Sequence, residues 1–215
     1  MSSELLQSIS SAVIDGDVRK ADELSQKTIE DQVPAIDVIN NGLVPGLQTV
    51  GEYFGSGEYY LPELLLSSKA MQKAMDLLMP LLAEQGESFH VGNYLIGSVK
   101  GDIHDIGKNI VVAMLKGNGW HVTDLGVDVP ADRFCEAIES GDYDILGLST
   151  LLTVTMPAAG ETIQEIEEAG LRDKIKIMVG GAPVTKGFAD KIGADEFALD
   201  AWEAVTKAKA LIEAD

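Results

Sequence analysis

What the chain has least of is cysteine, positive charge and long apolar runs. Its single cysteine, Cys135, excludes any internal disulfide and any multi-cysteine metal site, and it suits a reducing cytoplasm. Lys and Arg number 16 against 35 Asp and Glu, a net charge of −19, which repels nucleic-acid phosphates and anionic membrane surfaces. The deficit is general: residues up to 88 carry 5 basic and 14 acidic side chains, the remainder 11 and 21, so neither half conceals a basic domain. No apolar run approaches the roughly 18 residues that span a bilayer, and the opening MSSELLQ lacks the basic-then-apolar order of a secretion signal. The expectation is a soluble cytoplasmic protein with no membrane or nucleic-acid partner.

What is present is ordinary for a folded protein. Apolar residues make up 46% and charged residues 24%, too hydrophobic for disorder despite the charge. At roughly 100 to 200 residues per domain, the 215 residues accommodate two modest domains. Glycine is plentiful, 22 residues in all, and most of it follows residue 85.

Up to about Ala83 the apolar residues recur at helical spacing. Leu5, Ile9 and Val13 form one stripe. Val18, Ala21, Leu24 and Thr28 form a second after Gly16, with Asp17 placed to cap it. Ile36, Ile39, Leu43, Leu47, Val50 and Phe54 form a third between Pro34 and the Gly55, Gly57 pair. Leu61, Leu64, Ser68, Met71, Met75, Leu78 and Leu82 form a fourth, with Pro62 tolerated in its first turn. Four amphipathic helices with short connections predict a four-helix bundle over residues 1–88, closed by the polar stretch Glu84 to Ser88.

From residue 89 to 215 short apolar runs alternate with helical segments. The expected strands are Val91 to Val99, His121 to Asp124, Ile145 to Ser149, Ile175 to Val179 and Glu196 to Leu199. The expected helices are Gly107 to Lys116, Ala131 to Ser140, Pro157 to Ala169, Val184 to Ile192 and Ala201 to Ala214. Such alternation predicts an α/β domain with a five-stranded parallel sheet, Rossmann-like in character, with the flavodoxin-like order 2-1-3-4-5. Ligands of such sheets bind beyond the carboxyl ends of the strands, where the strand order reverses. That rule selects the loops Lys100 to Lys108, Ser149 to Pro157 and Gly180 to Val184.

The first loop carries Asp102, His104 and Gly107. A histidine two residues after an aspartate can have one ring nitrogen held by the carboxylate, which fixes its tautomer as a metal-ligating imidazole requires. The plainer alternative is that Asp102 caps the following helix and His104 is merely exposed. The second loop carries hydroxyls at Ser149, Thr153 and Thr155, which would bind a polar ligand or cap their own backbone. The third carries Gly180 and Gly181, a common turn pair that also lets backbone approach a bulky ligand. His90 and His121 are expected at strand ends, Cys135 inside a helix as a small buried residue, and most of Met71, Met75, Met79 and Met156 in the core.

The D-x-H-x-x-G of Asp102, His104 and Gly107, the S-x-L of Ser149 and Leu151, and the GG of Gly180 and Gly181 resemble the three-part signature of the cobalamin-binding Rossmann-like domain. The segment Val50 to Phe54 followed by Tyr60, Leu61, Pro62, Glu63 and Leu64 resembles the helical cap of methionine synthase. Cap and binding domain together are similar to the corrinoid proteins of anaerobic methyltransferase systems. The resemblance implies cobalamin or a related corrinoid as cofactor, with His104 as the lower axial cobalt ligand and Asp102 as its hydrogen-bonded partner. Thr155 stands where the family's relay has a serine. The resemblance further implies that Ser149 bonds the buried cofactor tail, Thr153 helps line the lower face, Leu151 belongs to the cofactor-binding set, and Gly107, Gly180 and Gly181 make room. Phe54, Leu61 and Leu64 would shield the methyl group, and Glu84 to Ser88 would be the hinge of the cap.

The implied function is a methyl carrier, not catalytic alone, that accepts a methyl group on Co(I) from a donor-specific methyltransferase and presents methyl-Co(III) to an acceptor methyltransferase. The donor is of the kind of methanol, a methylamine, an aromatic methyl ether or a betaine, and the acceptor tetrahydrofolate, tetrahydromethanopterin or a thiol. A reductive activase is a further implied partner.

The alternative within the family is a cobalamin-binding sensor or regulatory protein, which would need an output module. A mutase subunit would work beneath a barrel that this chain does not contain. A response-regulator receiver would need an aspartate where Ser149 stands. A flavodoxin would want a phosphate-cradling loop where Asp102 and His104 lie, and a zinc hydrolase would need a tighter ligand spacing than the three histidines offer.

Overall fold

The structure, a computed structural model, describes residues 2–84 and 89–213. Its contacts divide it into two units, Met1–His90 with Lys116–Gly119, and Val91–Leu115 with Trp120–Asp215.

The first unit is helical: α1 (Ser2–Ile14), α2 (Val18–Glu30), α3 (Ala35–Val38), a π-helical turn (Ile39–Leu43), α4 (Val44–Ser56) and α5 (Leu61–Glu84). Asp17 caps α2 as expected, its Oδ1 accepting the Lys20 N–H at 2.9 Å. The second stripe buries Ala21 and Thr28, and the fourth buries Leu64, Ser68, Met71, Met75, Leu78 and Leu82. α1 packs on α2 and α4, and α2 packs on α5.

The third expected helix is not one regular element. The π turn interrupts it, and the Val44 N–H reaches back to the Ile39 carbonyl, five residues away. Pro45 accounts for this. It has no N–H for the Asn41 carbonyl, and in a regular helix its ring would strike that carbonyl, so the wider turn relieves the clash. Gly57, with φ of 79°, ends α4 in the left-handed conformation. Of the polar stretch expected to act as a hinge, Glu84 closes α5, and residues 85–88 lie outside the described residues.

The second unit alternates β1 (Asn93–Ser98), α6 (Ile106–Gly117), β2 (His121–Asp124), α7 (Ala131–Ser140), β3 (Ile145–Ser149), α8 (Met156–Glu168), a 3-10 turn (Arg172–Lys174), β4 (Lys176–Gly180), α9 (Lys186–Ile192), β5 (Glu196–Ala198) and α10 (Ala201–Glu213). All strands are parallel, in the order β2-β1-β3-β4-β5. The helix expected from Val184 begins at Lys186, because Thr185 is its cap and accepts the Phe188 N–H at 3.2 Å. Leu199 falls outside β5 and is exposed.

β1, β3 and β4 are apolar through their interiors, with polar residues only at their ends, as strands covered on both faces must be. On one face Leu95, Leu146, Leu148, Ile177 and Val179 pack with Phe134, Cys135 and Ile138 of α7 and Ile163 and Ile166 of α8. On the other, Tyr94 meets Trp120 edge-on at 5.6 Å, and burial raises the Tyr94 phenol far above its usual range.

The register sets the functional edge. Ser98 pairs with Ser149, and Ser149 with Gly180, so the loops after β1, β3 and β4 leave the sheet level with one another. Among the described residues no helix is long and apolar enough to cross a membrane.

Candidate functional site

The loop from β1 to α6 is tied down at several points. Ser98 Oγ donates to the His104 carbonyl at 2.9 Å. Asp128, in the loop after β2, accepts the Gly101 N–H on its carboxylate at 2.7 Å and donates its own N–H to the Asp102 carbonyl at 2.9 Å. Asp128 does so with φ of 53°, a left-handed conformation uncommon outside glycine and tolerated best by Asn and Asp. Just beyond, the buried Lys108 ammonium donates to Asp124 and Asn109, tying the start of α6 to the end of β2.

Asp102 is the centre of the site. Only 1% of it is exposed. Its Oδ1 accepts the His104 N–H at 3.0 Å and lies 2.8 Å from His104 Nδ1. Its Oδ2 accepts the Leu151 N–H at 2.7 Å and the Thr155 hydroxyl at 2.8 Å. Burial on its own would push this carboxyl up. The Leu151 and His104 amides, with the Thr155 and His104 side chains, overcome that and hold it well below the usual carboxylate range.

The carboxylate is therefore ionised, and the proton between it and the imidazole sits on Nδ1. No hydrogen bond of the described residues engages Nε2. The His104 side chain is 44% exposed. None of the partners of Asp102 is an N–H of α6, so the capping alternative fails.

Thr155 precedes α8 without capping it, because its hydroxyl is turned to Asp102. Leu151 contributes through its backbone N–H. Ser149 is half-buried at the end of β3 and Thr153 is exposed, and no hydrogen bond of the described residues engages either hydroxyl. Gly181 has φ of 137°, and a β-carbon there would fall 1.8 Å from the Thr150 carbonyl oxygen. At Gly180 the nearest atom would be 3.4 Å away, and at Gly107 nothing lies within 4 Å. Packing within the protein thus requires glycine at 181 and leaves open space at 107.

Two features had no signal in the sequence. One is Thr150, fully buried, whose Oγ1 lies 2.8 Å from Thr155 Oγ1. The other is the clamp made by Asp128. Both depend on which loops the sheet places side by side. A separate concavity of about 800 Å³ opens at the opposite, amino ends of the strands. Three of its charged groups are already used: Arg172 pairs with Asp195 at 2.8 Å, and the Asp144 and Asp195 carboxylates accept the Asn93 and Ile177 N–H groups.

Over residues 92–207, and again with a second family over residues 5–79, the sequence matches a B12 binding domain. The chain belongs to the B12-binding family. A corrinoid protein of Desulfitobacterium hafniense is 40% identical to it, with 97% of each chain covered. Dimethylamine corrinoid protein 1 of Methanosarcina acetivorans is also 40% identical, covering 97% of this chain and 98% of that one. Among solved structures, the methanol:cobalamin methyltransferase complex of Methanosarcina barkeri holds a chain similar in fold at a TM-score of 0.85 and 31% identity, covering 99% of this chain and 81% of that one.

As a member of the B12-binding family the chain binds a corrinoid, and its residues fit one. Among the described residues no group of three or more His, Cys, Asp or Glu could hold a metal ion unaided. A corrin would bring ring nitrogens of its own for the metal and would need few further donors from the protein, and the part-exposed His104 imidazole could supply one. A macrocycle also needs an apolar platform. Ile103, Ile106 and Val154 are 71%, 77% and 79% exposed, with Leu151 and Leu152 partly so, on the two loops that Asp102 joins and at the first residue of α6. Exposed large apolar side chains gathered around a polar network mark a binding surface.

In the helical unit the three residues expected at the methyl face differ. Leu64 is fully buried, Phe54 is half-buried, and Leu61 is exposed beside the exposed Tyr60. Met71 and Met75 are core residues, Met156 is half-buried and Met79 is exposed.

Proposed function

We propose that this protein is the corrinoid methyl carrier of a methyltransferase system, with His104 as the lower axial ligand of cobalt. The observation that supports the reading is the buried Asp102 carboxylate holding His104 Nδ1 at 2.8 Å while no hydrogen bond of the described residues engages Nε2. A bound corrinoid would supply the methyl-transfer chemistry, with His104 as the residue that would hold its cobalt. The protein's part is to position and to hold a proton. Asp102 orients the imidazole and, as a fixed anion, stabilises it should it leave the metal and take up a proton on Nε2. Thr155 steadies Asp102 from behind. Ser149 offers a free hydroxyl to the polar tail of the cofactor, Thr153 helps line the lower face, Gly107 leaves room beside it, and Gly180 and Gly181 carry the backbone close against the Thr150 loop.

The partners follow from the relatives, one named for dimethylamine and one solved in a methanol methyltransferase complex. A donor-specific methyltransferase would load the carrier and an acceptor methyltransferase would unload it. The net charge of −19 adds an expectation: association with either partner slows as salt is added, roughly tenfold or more between low and physiological ionic strength. Stopped-flow association rates against ionic strength check this, and a flat response rejects it.

The axial assignment is tested by electron paramagnetic resonance of protein reconstituted with hydroxocobalamin and reduced to Co(II). The wild type should show nitrogen splitting from imidazole, and His104→Ala should lose it while still binding the corrinoid. Splitting that survives in His104→Ala would defeat the assignment.

A further inference from the structure

Behind the His104 and Asp102 pair lies a second hydroxyl that no step above requires. Thr155 Oγ1 has one proton and three acceptors in reach: Asp102 Oδ2 at 2.8 Å, the Leu152 carbonyl at 2.9 Å and Thr150 Oγ1 at 2.8 Å. Which acceptor receives it decides whether Asp102 Oδ2 has a hydroxyl bond beside the one from the Leu151 N–H. Thr150 Oγ1 also has one proton, and its choices are Thr155 Oγ1 at 2.8 Å or the Leu152 carbonyl at 3.5 Å. Thr150 is fully buried and Thr155 is 6% exposed, so water does not compete for either hydroxyl.

The 2.8 Å contact is the better bond for the Thr150 proton. Once that proton points at Thr155 Oγ1, Thr155 can no longer donate back to Thr150. Its own proton goes to the ionised carboxylate, the stronger of the two remaining acceptors. Donation to Thr155 also polarises its O–H and strengthens the bond to Asp102.

The backbone holds Thr150 in place for this. Its N–H donates to the Gly180 carbonyl at 3.0 Å, and its own carbonyl lies where a β-carbon at Gly181 would be. The paired glycines therefore set the position of Thr150.

We propose that Thr150 is a positioning residue, the terminal donor of a chain Thr150 to Thr155 to Asp102 to His104 that sets how strongly His104 donates to cobalt. This rests on the axial assignment above. Each hydrogen bond to Asp102 takes up part of the negative charge that would otherwise act on His104 Nδ1–H. Without Thr150, the Thr155 proton is free to swing to the Leu152 carbonyl, more of that charge reaches His104, and Nε2 becomes a stronger donor that favours Co(II) over Co(I).

The test is a spectroelectrochemical titration of the Co(II)/Co(I) couple in full-length protein reconstituted with hydroxocobalamin, with Co(II) electron paramagnetic resonance on the same samples. Thr150→Val, which keeps the shape and loses the hydroxyl, should move the midpoint to more negative potential, and Thr150→Ser should return it to the wild-type value. If valine prevents folding, Thr150→Ala against Thr150→Ser makes the same comparison. An unchanged midpoint in the variant lacking the hydroxyl, or an equal shift in Thr150→Ser, overturns the proposal. Absence of imidazole splitting in the wild type would overturn the axial assignment instead, so the two failures are distinguishable.

Discussion

Replacing Asp102 by alanine is expected to lower the melting transition of the α/β unit by roughly 10 °C and to abolish imidazole coordination of a bound corrinoid. The substitution leaves the Leu151 and His104 N–H groups and His104 Nδ1 without their acceptor, and turns the Thr155 hydroxyl to its remaining partners, the Leu152 carbonyl and Thr150 Oγ1. An unsatisfied buried donor costs about 1–3 kcal/mol, and such costs in one network are not additive. About 3 kcal/mol for the whole is a reasonable expectation, which the usual enthalpy and entropy of unfolding convert to the stated shift.

The ionised state adds a pH dependence with a definite sign. Because the carboxyl is held below its usual range when folded, the stability it contributes is fully present above an unfolded value of about 4. It is lost only as pH falls toward the lower folded value. The stability difference between wild type and Asp102→Asn, read by denaturant unfolding, should be flat above about pH 5 and shrink below about pH 4. A difference that stays constant down that range would show that the charge of Asp102 is not what holds these donors.

Gly181→Ala is expected to have a comparable effect from 79 residues further along the chain. A β-carbon 1.8 Å from the Thr150 carbonyl oxygen cannot be accommodated, and φ of 137° is itself disfavoured for any side chain. The backbone conformation alone costs about 1–3 kcal/mol, and relief of the clash must displace Thr150. Thermal unfolding should show a loss of about 4 kcal/mol or more, in the range reserved for the severest single substitutions. Gly107→Ala is the contrasting control, since nothing lies within 4 Å of its added carbon. It should leave the unliganded protein as stable as before or about 0.5 kcal/mol more so, while weakening corrinoid binding. A destabilised Gly107→Ala, or an unaffected Gly181→Ala, would mean that the two glycines have been assigned the wrong reasons.

Much of the site could be read in advance because its parts are local. Asp102 and His104 are two residues apart, so their pairing needs only a turn. The three loops follow from counting strand and helix units, since a five-unit parallel sheet has few allowed orders. What could not be read is the convergence on Asp102 of Leu151 and Thr155, some fifty residues away. That depends on Ser98 pairing with Ser149, and a slip of one residue would turn every side chain of β3 to the other face. Thr150 had no distinguishing mark as one hydroxyl among several, and Asp128 looked like an ordinary acidic loop residue.

The helical unit shows the same division. Its stripes were visible at a spacing of 3.6 residues, but the π turn was not. Periodicity tolerates one widened turn, whereas the proline that forces it acts on a carbonyl four residues back. Leu64 and Leu61 sit three apart in one stripe, yet one is fully buried and the other exposed. That is a matter of where the neighbouring helices lie.

The sequence by itself determined the surface charge, the absence of internal crosslinks, the order of helices and strands, and one histidine with its carboxylate at the functional edge. All of these arise from composition or from contacts within a few residues. Only the tertiary structure decided that the carboxylate is buried and ionised, that a threonine from the same loop as its partner stands behind the network, and that Gly181 is required where Gly107 is not. Those outcomes depend on which backbone atoms from distant segments come within hydrogen-bonding or van der Waals distance, and the parallel register of β1, β3 and β4 sets that distance.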